Sequence, residues 1–400
     1  MKQKEKASLT QMVPDLRFPE FSDAGDWVER KFENLFTIGG GRDYKHLKPG
    51  SVPMYGSGGY MLSVNEYLHE GESVCIGRKG TIDKPFFLSG RFWTVDTLFY
   101  THSFRESLPK FILFIFQKIK WTDHNETGGI PSLSKTTIGK ISVPIPSLPE
   151  QQKIADCLSS LDEVLSLESQ KLQSLQSYKK GLLQNLFPAE GETVPKLRFP
   201  EFEGAGDWEE RKLGDVCEFF SGGTPSKENP KFWNGTIPWI SASSMHDTFI
   251  ETSDQMISNF AVSAGARIVP KNSILILIRG SMLYKRVPIC INNVEVAFNQ
   301  DVKALTPILS ISLLFMLYQL ISKEISLLSL VGSTGIGAGK IDTEDLKAFT
   351  VYLPSLSEQQ NIADCLSSVD ALIQEQSERI ERLKSHKKGL LQGLFPVMGE

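Results

Sequence analysis

The chain contains PSLPEQQKIADCLSSLD at residues 146–162 and PSLSEQQNIADCLSSVD at residues 354–370, two near-copies that lie 208 positions apart. Upstream lies a second matched pair, VPDLRFPEF at residues 13–21 and VPKLRFPEF at residues 194–202, which are 181 positions apart. Repeats of this kind mark an internal duplication. We therefore interpret the sequence as a tandem duplication of one unit, and expect the two copies to be related by a pseudo-two-fold axis.

The segments enclosed by the matched blocks differ from each other. Residues 32–143 show little similarity to residues 213–351, although the blocks on either side of them are nearly identical. A constant frame around two different inserts is typical of a modular protein that reads two different targets. The alternative is two copies of one domain whose loops have drifted.

The longer matched block predicts a long helix in each copy. Apolar residues recur in alternating steps of four and three, which is the a/d pattern of a coiled coil. These positions are Ile154, Leu158, Leu161, Leu165, Leu172, Leu175, Leu182 and Leu186 in the first copy, and Ile362, Leu366, Val369, Ile373, Ile380, Leu383, Leu390 and Leu394 in the second. A helix over residues 150–186 would be about 55 Å long. We expect the two helices to pack antiparallel, with one insert at each end.

Both helices carry polar side chains at the same two positions of the apolar seam. Glu168 matches Gln376, and Lys179 matches Lys387. Polar residues in a seam often set the register of a coiled coil. A frayed or solvated turn is the alternative.

The inserts read as mixed helix and strand, so the expected fold class is α/β (α+β). In the first we expect strands at residues 73–76 and 92–100 and a helix at residues 109–119. In the second we expect strands at 273–278 and 288–291 and a helix at 311–328. The whole is then two mixed target-binding domains joined by two long antiparallel coiled-coil helices.

Composition and charge suit a soluble protein with a local binding face. Hydrophobic residues make up 40% of the chain and charged residues 22%, with a net charge of −4. Residues 27–145 hold 15 Lys and Arg against 11 Asp and Glu, whereas residues 208–353 hold 13 against 14. The first insert can therefore offer a basic face to phosphates, and composition gives no such support for the second.

No apolar run reaches the ~20 residues of a membrane span, and residues 1–10 lack the core of a signal peptide, so we expect a cytoplasmic protein.

Motifs for catalysis, metal binding or nucleotide binding do not stand out. The five cysteines form no CxxC pair, and the six histidines show no metal-ligand spacing. The run GSTGIGAGK at residues 332–340 fails the Walker pattern, because Thr334 stands where its first glycine belongs and Ile341 follows the lysine. No Pro-Pro dipeptide of a DNA adenine methyltransferase motif occurs. We expect a binding protein with no cofactor and no metal of its own.

The motifs in combination resemble the specificity subunits of type I restriction–modification systems over essentially the whole chain. Each insert opens with Trp-x-x-Arg-Lys, at residues 27–31 and 208–212, and closes in a proline turn before Glu-Gln-Gln-x-Ile-Ala. The first insert contains PMYGSGG and IGRKG, and the second contains GTPS, IPWIS and a Gly-rich run before its end.

This resemblance implies that each insert is a target-recognition domain for double-stranded DNA. It implies that the helices are spacers that dock two modification (methyltransferase) subunits, and that two restriction (endonuclease/translocase) subunits can join. S-adenosylmethionine would then be bound by the modification subunit, and ATP and magnesium by the restriction subunit. The target would be an asymmetric bipartite sequence, each domain reading one half. The alternative from a different class is a non-catalytic two-headed scaffold that binds proteins.

Candidate DNA contacts are residues able to bond base edges or phosphates, in Gly-rich loops or just after expected strands. In the first insert these are Tyr55, Ser57, Arg78, Lys79, Thr127, Ser132, Ser134 and Lys135. In the second they are Ser221, Thr224, Ser241, Ser243, Ser244, Arg279, Ser281, Asn299, Gln300, Ser333, Thr334 and Lys340. Two acidic residues, Glu126 and Asp247, depart from this pattern; they could accept from cytosine N4 or be solvated, and we favour the solvated state. Asn299 and Gln300 could instead cap a strand end.

The expected domain boundaries follow the repeat. Residues 1–26 form the first copy of the frame segment, 27–145 the first target-recognition domain and 146–188 the first spacer helix. Residues 189–207 form a linker that repeats the frame segment, 208–353 the second domain and 354–400 the second spacer helix.

Overall fold

The chain folds into two units, and each unit takes one part of both long helices. The computed structural model describes residues 12–308, 310–333 and 337–397. One unit comprises residues 1–170 with 378–400, and the other comprises residues 171–377. The first long helix is therefore divided near its middle, and so is the second.

The described residues of the first unit form ten strands and three short α-helices in addition to its parts of the long helices. The strands are β1 (Val28–Lys31), β2 (Thr37–Gly40), β3 (Pro49–Gly56), β4 (Gly59–Val64), β5 (His69–Glu70), β6 (Ser73–Gly77), β7 (Phe86–Leu88), β8 (Arg91–Thr94), β9 (Leu98–His102) and β10 (Ser142–Ile145). The short helices are α1 (Phe32–Leu35), α2 (Pro109–Lys118) and α3 (Lys135–Lys140), and the long helix is α4 (Leu148–Asn185).

The strands of the first unit form two four-stranded sheets and a ribbon. The sheet orders are β2-β9-β6-β7 and β4-β3-β8-β5. The ribbon pairs β1 with β10 antiparallel, with Val28 opposite Ile145. The largest core of this unit contains five buried residues of α2 (Phe111, Ile112, Phe114, Ile115 and Phe116) together with Val74 and Ile76 of β6.

The second unit repeats this plan with more strands. They are β11 (Glu209–Lys212), β12 (Cys217–Ser221), β13 (Trp233–Ile240), β14 (Phe249–Ile250), β15 (Met256–Ile257), β16 (Ile268–Val269), β17 (Ile274–Leu277), β18 (Arg279–Gly280), β19 (Ile289–Asn292), β20 (Val296–Phe298), β21 (Val302–Pro307), β22 (Gly332–Ser333), β23 (Gly339–Lys340) and β24 (Thr350–Leu353). The helices are α5 (Leu213–Val216), α6 (Asn259–Ser263), α7 (Leu313–Ser322), α8 (Glu324–Ser329), α9 (Thr343–Lys347) and the long α10 (Leu356–Gly393).

Two sheets of the second unit follow the same connectivity, one of them extended by β14, and a small third sheet is added. The sheet orders are β12-β21-β17-β19-β14, β15-β13-β20-β16 and β18-β23-β22. A ribbon again closes the insert, because β11 pairs antiparallel with β24 and Glu209 lies opposite Leu353. Each Trp-x-x-Arg-Lys motif thus supplies the strand that pairs with the last strand of its own insert.

The coiled-coil pattern of the sequence is confirmed by the burial of the long helices. All sixteen seam residues are buried or half-buried. In the first unit Asp162 binds Lys387 at 2.5 Å and Glu168 binds Arg379 at 2.8 Å. The partner's number falls as the number in α4 rises, so the two helix segments run antiparallel.

Three of the four polar seam positions, Glu168, Lys179 and Lys387, form ion pairs, and the fourth, Gln376, is buried, so these positions are not a frayed turn. In the second unit Lys179 binds Asp370 at 2.6 Å, and its ammonium lies 5.5 Å from the ring centre of Tyr318. Lys387 in the first unit makes the equivalent contacts, with Asp162 and with the ring of Phe114. The duplication thus repeats the ion pair as well as the helix.

Most expected elements of the inserts are present, but two run differently. The strand expected at residues 92–100 is two strands, β8 and β9, because Leu98 donates to the carbonyl of Val95 in a tight turn between them. The helix expected at 311–328 is divided into α7 and α8 at Lys323, whose backbone has ψ 18°. Within the described part of the chain, none of the helices combines the length and the apolar character that crossing a bilayer requires.

Candidate nucleic-acid interface

In the first unit, a basic loop follows the central strand β6. All five residues of β6 are buried, and the next residues, Arg78 and Lys79, are exposed. The Gly/Ser-rich loop lies beside them: Leu133 donates to the carbonyl of Arg78 at 2.9 Å, and Lys79 pairs with Ser132 in an antiparallel bridge. Two segments that lie about fifty positions apart in the sequence are thereby joined into one surface.

This surface lines a cleft of about 550 Å³. Five of the predicted contacts line it, namely Arg78, Lys79, Ser132, Ser134 and Lys135. Thr127 is adjacent, with its hydroxyl 3.4 Å from that of Ser132. Ser57 lies beside Gly80, since a Cβ placed on that glycine would be 3.4 Å from the Ser57 hydroxyl. The remaining predicted contact, Tyr55, does not line the cleft; its half-buried ring packs 6.0 Å from Phe86.

Glu126 lines the same cleft and is held in place. Its carboxylate accepts a hydrogen bond from the Thr137 hydroxyl, and hydrogen bonds from Thr137 and Ser134 hold the pKa of the Glu126 carboxyl below its ordinary value. The side chain is exposed, as expected, but it is a positioned acceptor and not a freely solvated one. An acceptor among cations can receive a hydrogen bond from an amino group of a base.

In the second unit, a polar group forms where β12 ends. A Cβ on Gly222 would lie 2.1 Å from the carbonyl oxygen of Phe298, so only glycine allows this close approach of two backbones. The Thr224 hydroxyl donates to the Gln300 side-chain oxygen at 2.9 Å, and both residues are exposed. Two predicted contacts that are far apart in sequence therefore lie side by side.

Asn299 does not share this exposure. It is 7% exposed, its side-chain oxygen accepts from the backbone N–H of Asp301 at 3.1 Å, and its amide donates to the Asp301 carboxylate. Its backbone N–H donates to Ile240. Asn299 thus bonds to the last residue of β13 and to Asp301, the residue before β21.

Arg279 occupies the place in the second unit that Lys79, the neighbour of Arg78, has in the first: Lys79 donates to Thr97 and pairs with Ser132, and Arg279 donates to Asp301 and pairs with Lys340. Arg279 is exposed and directly follows the buried strand β17 and Ile278. Ser333 lies opposite Gly339 on the next strand, and Ser281 begins a short 3₁₀ helix. The Lys340 ammonium binds Asp342. Thr334, also predicted as a contact, lies outside the described residues.

The three predicted serines after β13 divide between two settings. Ser241 and Ser243 share a hydrogen bond at 2.9 Å. Ser244 instead bonds Ser253 and lines a cleft of about 930 Å³ with Asp247 and with residues of α10, including Ser367 and Asp370. Ser244 and Asp247 therefore face the long helix of their own unit.

Two cations near Ser221 were missed by the sequence analysis. Lys303 on β21 donates to the Ser221 hydroxyl, and Arg267 donates to the Ser221 carbonyl at 3.4 Å. Their signal in the sequence is weak, because they lie 36 positions apart and neither belongs to a motif. Among the residues described, no group of three or more His, Cys, Asp or Glu side chains is arranged to hold a metal ion.

Comparison with known sequences identifies relatives for both copies of the repeat. The family model of the type I restriction modification DNA specificity domain matches residues 24–177 and 205–384. The chain is 31% identical over 253 residues to the specificity subunit of the type I restriction enzyme EcoR124I/EcoR124II of Escherichia coli, covering 61% of this chain and 58% of that one. It is 26% identical over 346 residues to the MjaVIII specificity subunit of Methanocaldococcus jannaschii, covering 80% and 74%. The match thus spans less than two thirds of the Escherichia coli protein.

Solved structures share the fold at low sequence identity. The S subunit of the type I restriction–modification system from M. genitalium aligns with a TM-score of 0.67 at 16% identity, covering 97% of this chain and 100% of that one. A chain from a study of complex assembly and conformational transition in the type I R-M system aligns with a TM-score of 0.55 at 17% identity, covering 93% and 98%. Because the family model matches most of both repeats, the chain belongs to the family of the type I restriction modification DNA specificity domain.

Proposed function

We propose that this chain selects the DNA target of a type I modification and restriction complex, with each insert reading one half of an asymmetric, bipartite sequence. One observation carries the proposal. In each unit an exposed cation beyond a buried central strand pairs with a Gly/Ser-rich segment: Lys79, next to Arg78, with Ser132, and Arg279 with Lys340. The same local device thus occurs in two inserts of unlike sequence.

The chemistry of these side chains suits base reading. An arginine fork matches the two acceptors of guanine, and a glutamine amide matches adenine. The Arg78 guanidinium donates to the backbone carbonyl of Asp96 at 3.3 Å, and within the described part of the chain neither it nor Arg279 is paired with a carboxylate. Their donors are therefore available for base edges. The hydroxyls of Ser57, Ser132 and Thr224 suit phosphate oxygens or base edges.

We assign the domains by the ribbons that close them. The pairings of β1 with β10 and of β11 with β24 support boundaries at residues 27–145 and 208–353. Residues 146–188 and 354–400 then hold the spacer helices, and residues 1–26 and 189–207 the repeated frame segments. In this proposal the helices set the distance between half-sites and dock two modification subunits, to which two restriction subunits add. S-adenosylmethionine is bound by the former, and ATP with magnesium by the latter.

Methylation mapping in cells tests the proposal. Cells that carry this chain with its modification subunits should contain methylated adenines at one bipartite sequence. Arg78→Ala should weaken binding by about 1–3 kcal/mol and relax the preference at one half-site only. Arg91→Ala is the matched control, because Arg91 is an exposed arginine of the same unit that is paired with Glu70 at 3.1 Å.

Failure of the proposed function and failure of the basic loop would give different results. Methylation without a bipartite target, or no methylation at all, would refute the function proposed for the chain. An unchanged preference in Arg78→Ala, with a changed one in Arg91→Ala, would mean that the basic loop after β6 does not read DNA.

A further inference from the structure

The second insert carries two cations without acidic partners at the end of β12. Lys303 is half-buried and donates to the Ser221 hydroxyl, while the exposed Arg267 donates to the Ser221 carbonyl at 3.4 Å. In the described residues neither one forms an ion pair with a carboxylate. Two cations thus converge on one serine.

The position of this serine relates the cations to the proposed interface. Ser221 is the last residue of β12, and Lys303 lies directly opposite it on β21. The chain then passes through Gly222 and Gly223, whose N–H donates to Phe298, and reaches the Thr224–Gln300 pair. The cations therefore flank the polar group that is proposed to contact DNA.

The first insert places an ammonium at the equivalent point of its own fold by a different route. Gly40 ends β2 opposite Phe99, as Ser221 ends β12 opposite Lys303. The Lys135 ammonium lies 3.6 Å from the Cβ position of Gly40 and 5.9 Å from the Phe99 ring centre. Lys135 belongs to the helix α3, whereas Lys303 belongs to the strand β21. The two lysines are therefore not copies of one ancestral residue, although their ammonium groups lie at equivalent points of the two inserts.

The electrostatics of the cluster favour an anion. Burial, followed by the charges of Lys347 and Arg267, lowers the pKa of the Lys303 ammonium. Each of these effects disfavours the cation in the unbound protein. An anion that binds between Lys303 and Arg267 removes the repulsion and gains two charge-assisted hydrogen bonds.

We propose that Arg267 and Lys303, together with Ser221, form a binding site for a backbone phosphate of the DNA, and that Lys135 beside Gly40 is its counterpart in the first insert. The inference rests on the proposed function, because the phosphate is that of the target duplex. The site positions the duplex beside the base-reading side chains and carries no sequence information itself. It also gives the second insert a local basic face despite its nearly balanced charge.

The salt dependence of duplex binding tests this site. The probe is a labelled duplex of mixed sequence, titrated with the full-length chain in complex with its modification subunits between about 50 and 200 mM salt. Arg267→Ala and Lys303→Gln should each make the slope of log affinity against log salt shallower by about one, and the double variant by about two. Glutamine can keep the hydrogen bond to Ser221, so loss of charge is separated from loss of structure.

Further variants serve as controls. Lys271→Ala removes an exposed lysine at a turn of the same insert and should leave the slope unchanged. Lys303→Arg restores the charge and should restore the slope. The loss should be equal on the mapped target duplex and on the mixed one, because every duplex presents phosphates.

Two results would contradict the phosphate site. Slopes of Arg267→Ala and Lys303→Gln that equal the wild-type slope would overturn the phosphate site, and so would a loss confined to the target duplex. If the wild-type complex binds every duplex equally, or none, then the proposed function itself fails, and the two failures are thereby distinguished.

Discussion

A buried ion pair gives the repeated frame segment its role. Arg17 binds Glu150 through two hydrogen bonds of 2.7 and 2.8 Å, and Arg198 binds Glu358 through two of 2.7 Å. In both pairs the glutamate side chain is 1% exposed. Each LRFPEF segment is thus fastened to the first turn of the long helix that follows its insert.

Replacing these glutamates should destabilise the protein markedly. Glu150→Gln and Glu358→Gln each leave a guanidinium without its counter-charge, and we expect each to lower the free energy of unfolding by about 3–5 kcal/mol. Urea denaturation measures this. The control is Glu20→Gln, since Glu20 and Lys153 form an ion pair that is about half exposed on both sides and should be worth at most about 1 kcal/mol.

The two copies also allow a comparison with each other. The Trp27 indole donates to Glu150 at 3.3 Å, whereas the buried Trp208 indole N–H has no hydrogen-bond partner in the described structure. Glu150→Gln should therefore cost somewhat more than Glu358→Gln. Equal, small effects in all three variants would contradict the assignment of the glutamates as the anchoring groups.

At the scale of the element, the residues of the apolar seam between the long helices differ in how far they are buried. Val369 is 6% exposed, while Leu161 is half-buried and Leu372 on the same helix as Val369 is 50% exposed. We expect Val369→Asp to lower the free energy of unfolding by several kcal/mol, because it buries a carboxylate among apolar side chains. Leu161→Asp should cost less. Leu372→Asp should change stability little, and thermal melts that rank the three differently would refute the seam.

The ion pairs of the seam determine where the helices tolerate insertion. Four residues inserted into α4 alone, for example after Ser174, would move Lys179 about 6 Å along the helix from Asp370. Insertions of four residues after Gln170 and also after Ser377 fall at the division between the units. They leave Asp162 with Lys387, and Lys179 with Asp370, each within its own unit.

We expect this paired insertion to fold and to lengthen the unread spacer of the target by about two base pairs, since about 6 Å of helix corresponds to nearly two steps of duplex. Methylation mapping on the variant decides the matter. The single insertion is the control and should melt at lower temperature. A paired variant that methylates with the original spacer would show that the helices do not measure the distance.

At the scale of the whole molecule, both copies of the repeat place a frame segment against the end of a long helix, so the two copies follow each other as they would in a closed ring. In the first unit Leu16 donates to the carbonyl of Gly393 at 2.8 Å, and in the second Leu197 donates to Asn185 at 2.8 Å. Each frame segment therefore contacts the end of one long helix. In the second unit this helix end and the frame segment are joined by PAEGET, residues 188–193, whereas in the first unit Leu16 and Gly393 are 377 positions apart in the sequence.

A circular permutant should therefore keep the fold. Joining Glu400 directly to Met12 creates PVMGEM, which has the length of PAEGET, and the chain can then be opened between Gly191 and Glu192. We expect melting within a few degrees of the wild type and the same methylated target. A permutant opened inside β6, between Cys75 and Ile76, is the control that should not fold, because those residues are fully buried. Equal behaviour of the two permutants would contradict the circular arrangement.

The sequence alone determined the repeat, both long helices with their antiparallel seam, Arg78 and the Gly/Ser-rich segment as separate candidate contacts, and the family. These features depend on near-identity and on the spacing of neighbouring residues, which are read directly from the chain. The tertiary structure decided what depends on strand pairing. It packed Tyr55 against Phe86, buried Asn299 and placed Ser244 in a cleft that residues of α10 also line. It also brought Lys303 opposite Ser221, because a sheet joins residues by register and not by their distance along the sequence. The Arg267 side chain reaches the same serine from the residue before β16.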